Sequence, residues 1–267
     1  MSAAARWRSA LESWALPDAL LAQAEESPYG FDYDFWQREP VVPVAPSPTK
    51  RVIRSLLDTG DVLLDVGAGI GGSSLWATED GIHVIAVEKN PEAVQTLRLR
   101  AAGRSVEVIE GAWPAVAAVT PVADVALAAY VVHGVLDIVP FLEALHTKAR
   151  IAVVLELPET HPRRGLAPLF VAIHGLDLPM GPTVDDLVAV IREALDLDPT
   201  IEIWSQPTTL WFDSWEEAAR FYRRRAIVPA GRTSDLMALL DAMLIQDGAV
   251  VRPSEIRQLA CVWWKTG

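Results

Sequence analysis

Short apolar runs alternate with amphipathic stretches between residues 61 and 159, and two more apolar runs follow later. In chain order the runs are DVLLDVG, IHVIAVE, VEVIEG, ADVALAAY, ARIAVVLELP, TIEIWSQP and QLACVWWK. Strands that are apolar along their whole length are buried on both faces, as in a parallel sheet covered by helices. The pattern therefore predicts an α/β fold, with a seven-stranded, mostly parallel sheet and helices on both faces.

Helix signals lie between the predicted strands. Ser47 and Asn90 are each followed directly by a proline and then by an amphipathic stretch. A capping side chain before proline is typical of a helix N-terminus. A further helix is predicted from near Thr183, and the Pro-rich segment 160–182 before it is interpreted as a connection.

The order of these elements also predicts the domain organisation. Residues 1–46 precede the first helix of the sheet domain and are interpreted as an N-terminal helical cap. Residues 47–267 form the main domain, with a helical insertion at about 208–250 before the last strand. Ser214 and Glu217 have the spacing of a capping box at the start of a helix in this insertion.

Composition excludes several classes of protein. The chain has 267 residues, of which 51% are apolar, so it has enough apolar surface for a sizeable core. Its net charge of −12 disfavours contact with a nucleic-acid backbone. The longest apolar stretch, residues 125–136, is shorter than the roughly 20 residues that span a bilayer. The single cysteine, Cys261, excludes internal disulfides, and no signal peptide is apparent, so we expect a cytoplasmic protein.

The segment that points to chemistry is LLDVGAGIGGSS, residues 63–74, where a buried strand runs into glycines before a predicted helix. Glycines at Gly67, Gly69 and Gly71 let the backbone turn sharply and approach a ligand closely. However, Gly67, Gly69 and Gly72 also fit the G-x-G-x-x-G pattern of dinucleotide-binding proteins. The glycines alone leave both ligands open.

Two carboxylates help to decide which ligand the glycines bind. Asp65 ends the first strand, where its charge would repel the pyrophosphate of NAD but would suit a cationic ligand that carries an amino acid. This favours S-adenosylmethionine. Glu88 ends the second strand and can accept hydrogen bonds from two ribose hydroxyls, each worth roughly 1.5–3 kcal/mol. Since Glu88 suits either cofactor, an NAD-dependent oxidoreductase remains an alternative.

At these residues the chain resembles the class I S-adenosylmethionine-dependent methyltransferases, over roughly residues 48–206 and the final strand. LDVGAGIGG is similar to the first motif of that family, and VIAVEKN is similar to its acidic second motif. The resemblance implies a Rossmann-like fold and S-adenosylmethionine as the cofactor. The cofactor-binding residues that it implies are Asp65, Gly67, Ala68, Gly69, Gly71, Glu88, Lys89, Gly111, Ala112, Trp113 and Ala129.

In one place the chain departs from the family pattern. The segment IEGAW after the third strand is expected near the adenine, and the acidic residue that the family often has there is replaced by Ala112. The backbone amide of Ala112 or the ring of Trp113 is the predicted substitute.

Candidate catalytic residues follow the fourth and fifth strands, because ligands in open α/β sheets bind beyond the carboxyl ends of the strands. His133, His161 and Tyr130 are the candidates for contact with the methyl acceptor, and a histidine could also accept its proton. His174 and Asp137 are further candidates for this contact. For each, the alternative is a polar loop or packing role. No cluster has the spacing of metal ligands, so no metal is expected.

The expected acceptor is a small organic molecule that is methylated on oxygen or nitrogen. AAYV follows the fourth strand, in place of the Asn/Asp-Pro-Pro-aromatic element that resembling base-amino methyltransferases use, and no cysteine lies there for carbon-5 methylation of pyrimidines. The alternative within the same fold is a non-catalytic protein that binds the cofactor. The sequence does not fix the oligomeric state.

Two groups of side chains could belong to an acceptor pocket. Four tryptophans flank the predicted cleft and could line an apolar pocket, although core packing is the alternative: Trp36, Trp204, Trp211 and Trp215. Four arginines form either a solvated helix face or an anion site: Arg220, Arg223, Arg224 and Arg225. Trp263 and Trp264 are neighbours on the last strand and must face opposite sides of the sheet.

Overall fold

A computed structural model describes residues 1–29, Phe35, Arg38 and 46–267. Its main sheet has seven strands, in the order β3-β2-β1-β4-β5-β9-β6. The bounds of the sheet strands are β1 Val62–Val66, β2 His83–Glu88, β3 Val106–Glu110, β4 Ala123–Ala129, β5 Ala149–Pro158, β6 Thr200–Pro207 and β9 Ile256–Lys265. The predicted fold class is confirmed, since each predicted apolar run forms one of these strands.

Strands β1 to β5 pair in parallel, whereas β9 is antiparallel to both β5 and β6. The carboxyl ends of β1, β2, β4 and β5 therefore lie at one edge of the sheet. This is the edge at which open α/β sheets bind ligands. A second, two-stranded sheet consists of β7 (Leu244–Asp247) and β8 (Val250–Pro253).

The helices begin where the sequence predicted. Ser47 Oγ accepts a hydrogen bond from the backbone amide of Lys50, and Asn90 Oδ1 accepts one from the amide of Glu92. Thr183 forms a complete capping box with Asp186. The described α-helices are α1 Ala3–Glu12, α2 Asp18–Leu21, α3 Pro48–Leu56, α4 Pro91–Arg100, α5 Ile138–Lys148, α6 Ala167–His174, α7 Val184–Leu195, α8 Trp215–Arg225 and α9 Thr233–Met243.

The α-helix expected directly after the glycines is absent from this part of the structure, where a 3₁₀ helix spans Leu75–Asp80. Side chains bond to nearby carbonyls here: Trp76 Nε1 donates to the Ser73 carbonyl, and Thr78 Oγ1 donates to the Leu75 carbonyl. Such local bonds compete with regular helix formation. Gly81, at a φ of 80°, then ends the segment after six residues.

Two elements were missed in segments interpreted as loop or helix. The Pro-rich connection contains α6, which has proline in its first turn and Gly175 as a left-handed C-cap. The end of the insertion and the residues after it form the β7–β8 hairpin, whose two-residue loop is Gly248-Ala249 with Gly248 at a φ of 58°. Glycine at the first position of a two-residue loop is a hairpin signal and could have identified this turn.

Helix α1 packs into the main core. Trp7 is fully buried in a cluster with Leu64, Val66 and residues of α5 and α7 on one face of the sheet. Trp264 lies in the same cluster and Trp263 packs against the opposite face, as their alternation predicted. The first helix of the proposed cap is therefore part of one layer of the sheet domain.

Residues after α1 join a different cluster. Trp14 and Leu20 are buried with residues of α6, α8 and α9, so this segment packs against the insertion. The predicted capping box of α8 forms only in part, since Ser214 Oγ accepts from the amide of Glu217. The Glu217 carboxylate bonds instead to the Asp213 amide and to the guanidinium of Arg38, a stronger, charged donor.

The described helices include none that is long and apolar enough to cross a membrane. The predicted boundary at residue 46 falls beside residues 39–45, outside the described part of the chain, and it stays a prediction.

Candidate cofactor and acceptor site

The glycine turn, residues 67–72, connects β1 to the 3₁₀ segment at the ligand-binding edge of the sheet. The backbone amides of Gly67 and Ala68 both donate to the Val87 carbonyl, at 2.8 and 3.0 Å, which holds the turn against β2. Gly67, Gly69 and Gly71 all have positive φ, which side chains with a Cβ rarely adopt. The sequence prediction of a sharp turn at these residues is confirmed.

The three glycines face different surroundings. A Cβ at Gly67 would lie 2.5 Å from Val131 Cγ2, and a Cβ at Gly71 would lie 2.5 Å from Leu75 Cδ1. A Cβ at Gly69 would meet no atom of the described chain within 4 Å. Gly67 and Gly71 are therefore required by packing, whereas Gly69 borders open space in which a ligand could lie.

Glu88 ties the glycine turn to the end of β2. Its Oε2 accepts a hydrogen bond from the Gly69 amide at 2.9 Å, and its Oε1 accepts from the amides of Lys89 and Asn90. The side chain is held in one position by these three bonds. Each carboxylate oxygen has more than one acceptor site, so the predicted bonds to ribose hydroxyls stay open to it. Lys89 itself is exposed.

Replacing Glu88 by alanine is expected to weaken binding of S-adenosylhomocysteine by about 2 kcal/mol, or roughly 30-fold, because charged hydrogen bonds are lost. Calorimetric titration measures this directly. Glu92→Ala is the matched control, because Glu92 carries the same charge on the exposed first turn of α4. Equal affinities of the two variants would contradict a role for Glu88 in binding.

Asp65 is a buried carboxylate without a hydrogen-bond partner among the described residues. It is 1% exposed, and neither of its carboxylate oxygens is bonded. Burial raises the pKa of Asp65 to about 7; the nearby charge of Glu88 acts in the same direction, and the Ser74 hydroxyl opposes it. Ionising a carboxyl group that is buried without a partner is unfavourable. A positively charged ligand would stabilise its ionised form. The site therefore fits the cation predicted from the sequence.

The segment after β3 is oriented by internal contacts. The Gly111 amide donates to the Glu88 carbonyl, and Ala112 is exposed. The Trp113 Nε1 donates to the Phe141 carbonyl at 3.2 Å, which directs this donor toward α5. Ala129, at the end of β4, is buried. The structure thus leaves the Ala112 backbone as the accessible group of the predicted adenine site.

The structure brings His133 and His161 together. Their ring centroids are 5.5 Å apart, and each ring stacks on a tryptophan of the N-terminal segment, His133 on Trp7 and His161 on Trp14. Burial lowers the pKa of His133 to about 4 and that of His161 to about 3. Both imidazoles are therefore neutral near pH 7. Each is therefore a weak base, and Nδ1 of His161 already accepts a hydrogen bond from the Arg163 amide.

Tyr130 lies at the end of β4, with a φ of 60° and its amide bonded to the Glu156 carbonyl. Its side chain is 46% exposed at the ligand-binding edge. The loss of solvent around the phenol, and then the contact with Glu156, raise the pKa of Tyr130 well above its usual value. The phenol is therefore a hydrogen-bond donor at neutral pH and does not act as a base.

Other candidates have structural partners. A His174 ring nitrogen lies 2.8 Å from the Ala226 carbonyl, which ties α6 to the insertion. Asp137 forms an ion pair with Arg8. Arg223 bonds to the carbonyls that follow α8, and Trp204 Nε1 donates to Gln206 Oε1. Trp36 lies outside the described residues.

Sequence analysis did not single out Val131 or Arg163. Val131 fills the space beside Gly67 and so links the end of β4 to the glycine turn. Arg163 follows His161 by two residues, and its amide donates to His161 Nδ1 at 3.2 Å. The sequence signal for Arg163 is the HPRR run, in which a positive charge lies two residues after a candidate histidine. Within the described ranges, no three His, Cys, Asp or Glu side chains are grouped as metal ligands would be.

Comparison with known proteins gives two sequence matches. The family model described as "Methyltransferase domain" matches residues 64–150, which contain the glycine turn, Glu88 and His133. A probable cobalt-precorrin-6B C(15)-methyltransferase (decarboxylating) of Methanothermobacter thermautotrophicus is 33% identical over 95 residues. That alignment covers 32% of this chain, which spans half the length of the curated relative.

Solved structures share the fold at low sequence identity. A provisionally assigned methyltransferase of Bacillus halodurans superimposes with a TM-score of 0.54 at 12% identity, covering 83% of this chain and 99% of the other. A provisionally assigned sarcosine dimethylglycine methyltransferase of Galdieria sulphuraria gives a TM-score of 0.50 at 12% identity, covering 82% and 83%. Residues 64–150 are therefore similar in sequence to a methyltransferase domain, and the solved methyltransferase structures share the fold of most of the chain.

Proposed function

We propose that this chain transfers the methyl group of S-adenosylmethionine to an oxygen or nitrogen atom of a small organic molecule. The single observation that supports it most is Asp65, a buried and unbonded carboxylate two residues before the glycine turn. A cationic cofactor would supply the missing partner.

In this proposal the cofactor supplies a methyl group on a positively charged sulfur, which is already a strong electrophile. Asp65 would stabilise the positive charge of the ligand. Glu88 would hold its ribose, and the Gly69 backbone leaves the space in which it lies. These residues bind and orient the cofactor. Orienting the reacting groups in a closed site can lower the barrier to a reaction by up to roughly 7–11 kcal/mol.

The acceptor would lie on the side of His133 and His161, beyond the ends of β4 and β5. Both imidazoles are neutral, and His133 could accept a hydrogen bond from the hydroxyl or amine that is methylated, whereas Nδ1 of His161 already accepts from the Arg163 amide. The Trp7 and Trp14 rings stack on His133 and His161 and add apolar surface to this side. The negative charge of the chain supports a small molecule over a nucleic acid.

The topology supports a methyltransferase over the NAD-dependent alternative. Strand β9 is inserted antiparallel between β5 and β6, whereas the dinucleotide fold has the order 3-2-1-4-5-6. The name of the cobalt-precorrin relative points to carbon as a further acceptor atom, and the experiment below distinguishes it.

The test is incubation with methyl-labelled S-adenosylmethionine and fractionated small-molecule extracts, followed by mass analysis of every product that gains the label. We expect one product whose fragments carry the label on oxygen or nitrogen. Heat-treated enzyme is the control for spontaneous methylation. A label on carbon would correct the acceptor atom, and cofactor binding without any labelled product would support the non-catalytic alternative.

A further inference from the structure

Arg163 has one edge of its guanidinium buried and unbonded. The Nε and Nη2 atoms have less than 1 Å² of exposed surface each and no hydrogen-bond partner in the described structure. Among the described residues, Nη1 donates to the Trp14 carbonyl at 3.5 Å, and the Tyr29 hydroxyl also interacts with the guanidinium. The Nε and Nη2 hydrogens form a fork whose geometry matches a carboxylate.

No acidic side chain of the described residues forms an ion pair with Arg163. Its guanidinium carbon lies 4.9 Å from the centre of the Tyr29 ring, so an aromatic face takes the place of a counter-ion. The next residue, Arg164, shows the ordinary arrangement, because its Nη1 is 3.1 Å from Asp177 Oδ1. A buried charge without a carboxylate is costly, and here burial also lowers the Arg163 pKa.

The fork is connected to the proposed acceptor side. The Arg163 amide bonds to the His161 ring, and that ring lies 5.5 Å from the ring of His133. His133 is 7% exposed, and neither of its ring nitrogens has a partner among the described residues. Val131, two residues before His133, contacts the position of Gly67. Arg163, His161 and His133 thus form a buried row of polar groups that leads toward the glycine turn.

We infer that the methyl acceptor is an organic acid whose carboxylate binds the Nε and Nη2 edge of Arg163, with His133 facing the same molecule. This inference rests on the proposed function and specifies its substrate class. A planar carboxylate matches two parallel N–H donors and would supply the missing counter-charge. The neutral imidazole of His133 adds a polar contact without a second charge.

Trp14 and Tyr29 cover the fork. Trp14 stacks on His161 with ring centroids 4.0 Å apart, and Tyr29 lies against the Arg163 guanidinium. An acid that reaches Arg163 must therefore displace part of the segment between α1 and residue 29. This segment belongs to the cluster that packs on the insertion, so both parts border the acceptor.

The test measures binding of simple acids to the protein saturated with S-adenosylhomocysteine. The probes are acetate, benzoate and indole-3-acetate, with benzamide as the uncharged analogue of benzoate and inorganic phosphate as the other anion. We expect at least one carboxylate to bind the wild-type protein, and to bind at least tenfold more weakly to R163Q. R164Q is the matched control and should bind like wild type, because Arg164 already has Asp177 as its partner.

The melting temperature separates a binding role from a structural one. R163M removes an unpaired buried charge but keeps an apolar stem about as long as that of arginine up to Nε, so its Tm should rise while carboxylate binding is lost. R163K keeps the charge without the planar fork, and it should bind at least tenfold more weakly at an unchanged Tm.

Three results would overturn the inference: no carboxylate binds, R163Q binds as tightly as wild type, or benzamide or phosphate binds more tightly than any carboxylate. Failure of the wild type to bind S-adenosylhomocysteine in the same titration would instead refute the proposed function. The two failures are therefore distinguishable.

Discussion

The affinity for S-adenosylmethionine is expected to rise by up to about tenfold per pH unit as the pH increases toward 7, and then to level off. The cause is Asp65, whose pKa burial raises to about 7. Below this value the carboxyl group is protonated and offers no charge to a cationic ligand. Above it the carboxylate is ionised and can form the ion pair. Calorimetric titration between pH 5.5 and 8.5 measures the profile.

The same titration of Asp65 changes the stability of the cofactor-free protein in the opposite direction to the cofactor affinity. Because the folded pKa of Asp65 is higher than the usual value of 3.8, the folded protein holds a proton that the unfolded chain has released. The cofactor-free protein should therefore lose stability through this group as the pH rises from about 4 to about 7, by roughly 4 kcal/mol in total. D65N, which cannot ionise, should be more stable than wild type at pH 8.

D65N is also the control for titration of the ligand itself, since any contribution of the cofactor amino group affects both proteins equally. We expect D65N to bind weakly, without the rise in affinity toward pH 7. Superimposable pH profiles of wild type and D65N would show that the Asp65 charge has no part in binding.

Gly69→Ala is expected to reduce affinity for S-adenosylhomocysteine at least tenfold, equivalent to about 1.4 kcal/mol. A methyl group at residue 69 meets no atom of the described chain within 4 Å, so it would occupy space that a ligand needs. The left-handed backbone at this residue, with a φ of 55°, also costs alanine roughly 1–2 kcal/mol of stability. Binding and thermal unfolding together separate these two effects.

Gly103→Ala provides the matched control. Gly103 has a φ of 77° and also has no atom within 4 Å of a Cβ, but it follows α4 at the opposite end of the β2–β3 crossover. Its stability loss should equal that of Gly69→Ala, and its cofactor affinity should be that of wild type. If both variants bind normally, the open space at Gly69 is not the cofactor site.

The sheet could be predicted because each of its strands is encoded by a local run of apolar residues. A strand buried on both faces needs apolar residues at nearly every position, and each of the seven runs shows this. The glycine turn was predictable for a similar reason, since the positive φ of Gly67, Gly69 and Gly71 is a local backbone demand that favours glycine. Asp65 was identified by its place in this turn, although its lack of any partner became visible only in three dimensions.

The remaining features depend on contacts between distant segments. The partnership of Trp7 with His133 and of Trp14 with His161 joins residues more than a hundred positions apart, which no local pattern reports. The 3₁₀ segment depended on side-chain bonds that compete with a helix. The unbonded edge of Arg163 could not be predicted either, because a charged residue in a Pro-rich connection is normally solvated.

The position of β9 has a consequence for folding during synthesis. Residues 256–265 lie between β5 and β6, so these two strands have no contact through the sheet ladder until β9 is present. A nascent chain that ends before residue 256 would leave the backbone edges of β5 and β6 unpaired and accessible to proteases and chaperones. Protection of β6, and of the edge of β5 that faces β9, should therefore be gained together once residues 256–265 have been synthesised, while β1 to β5 can pair earlier.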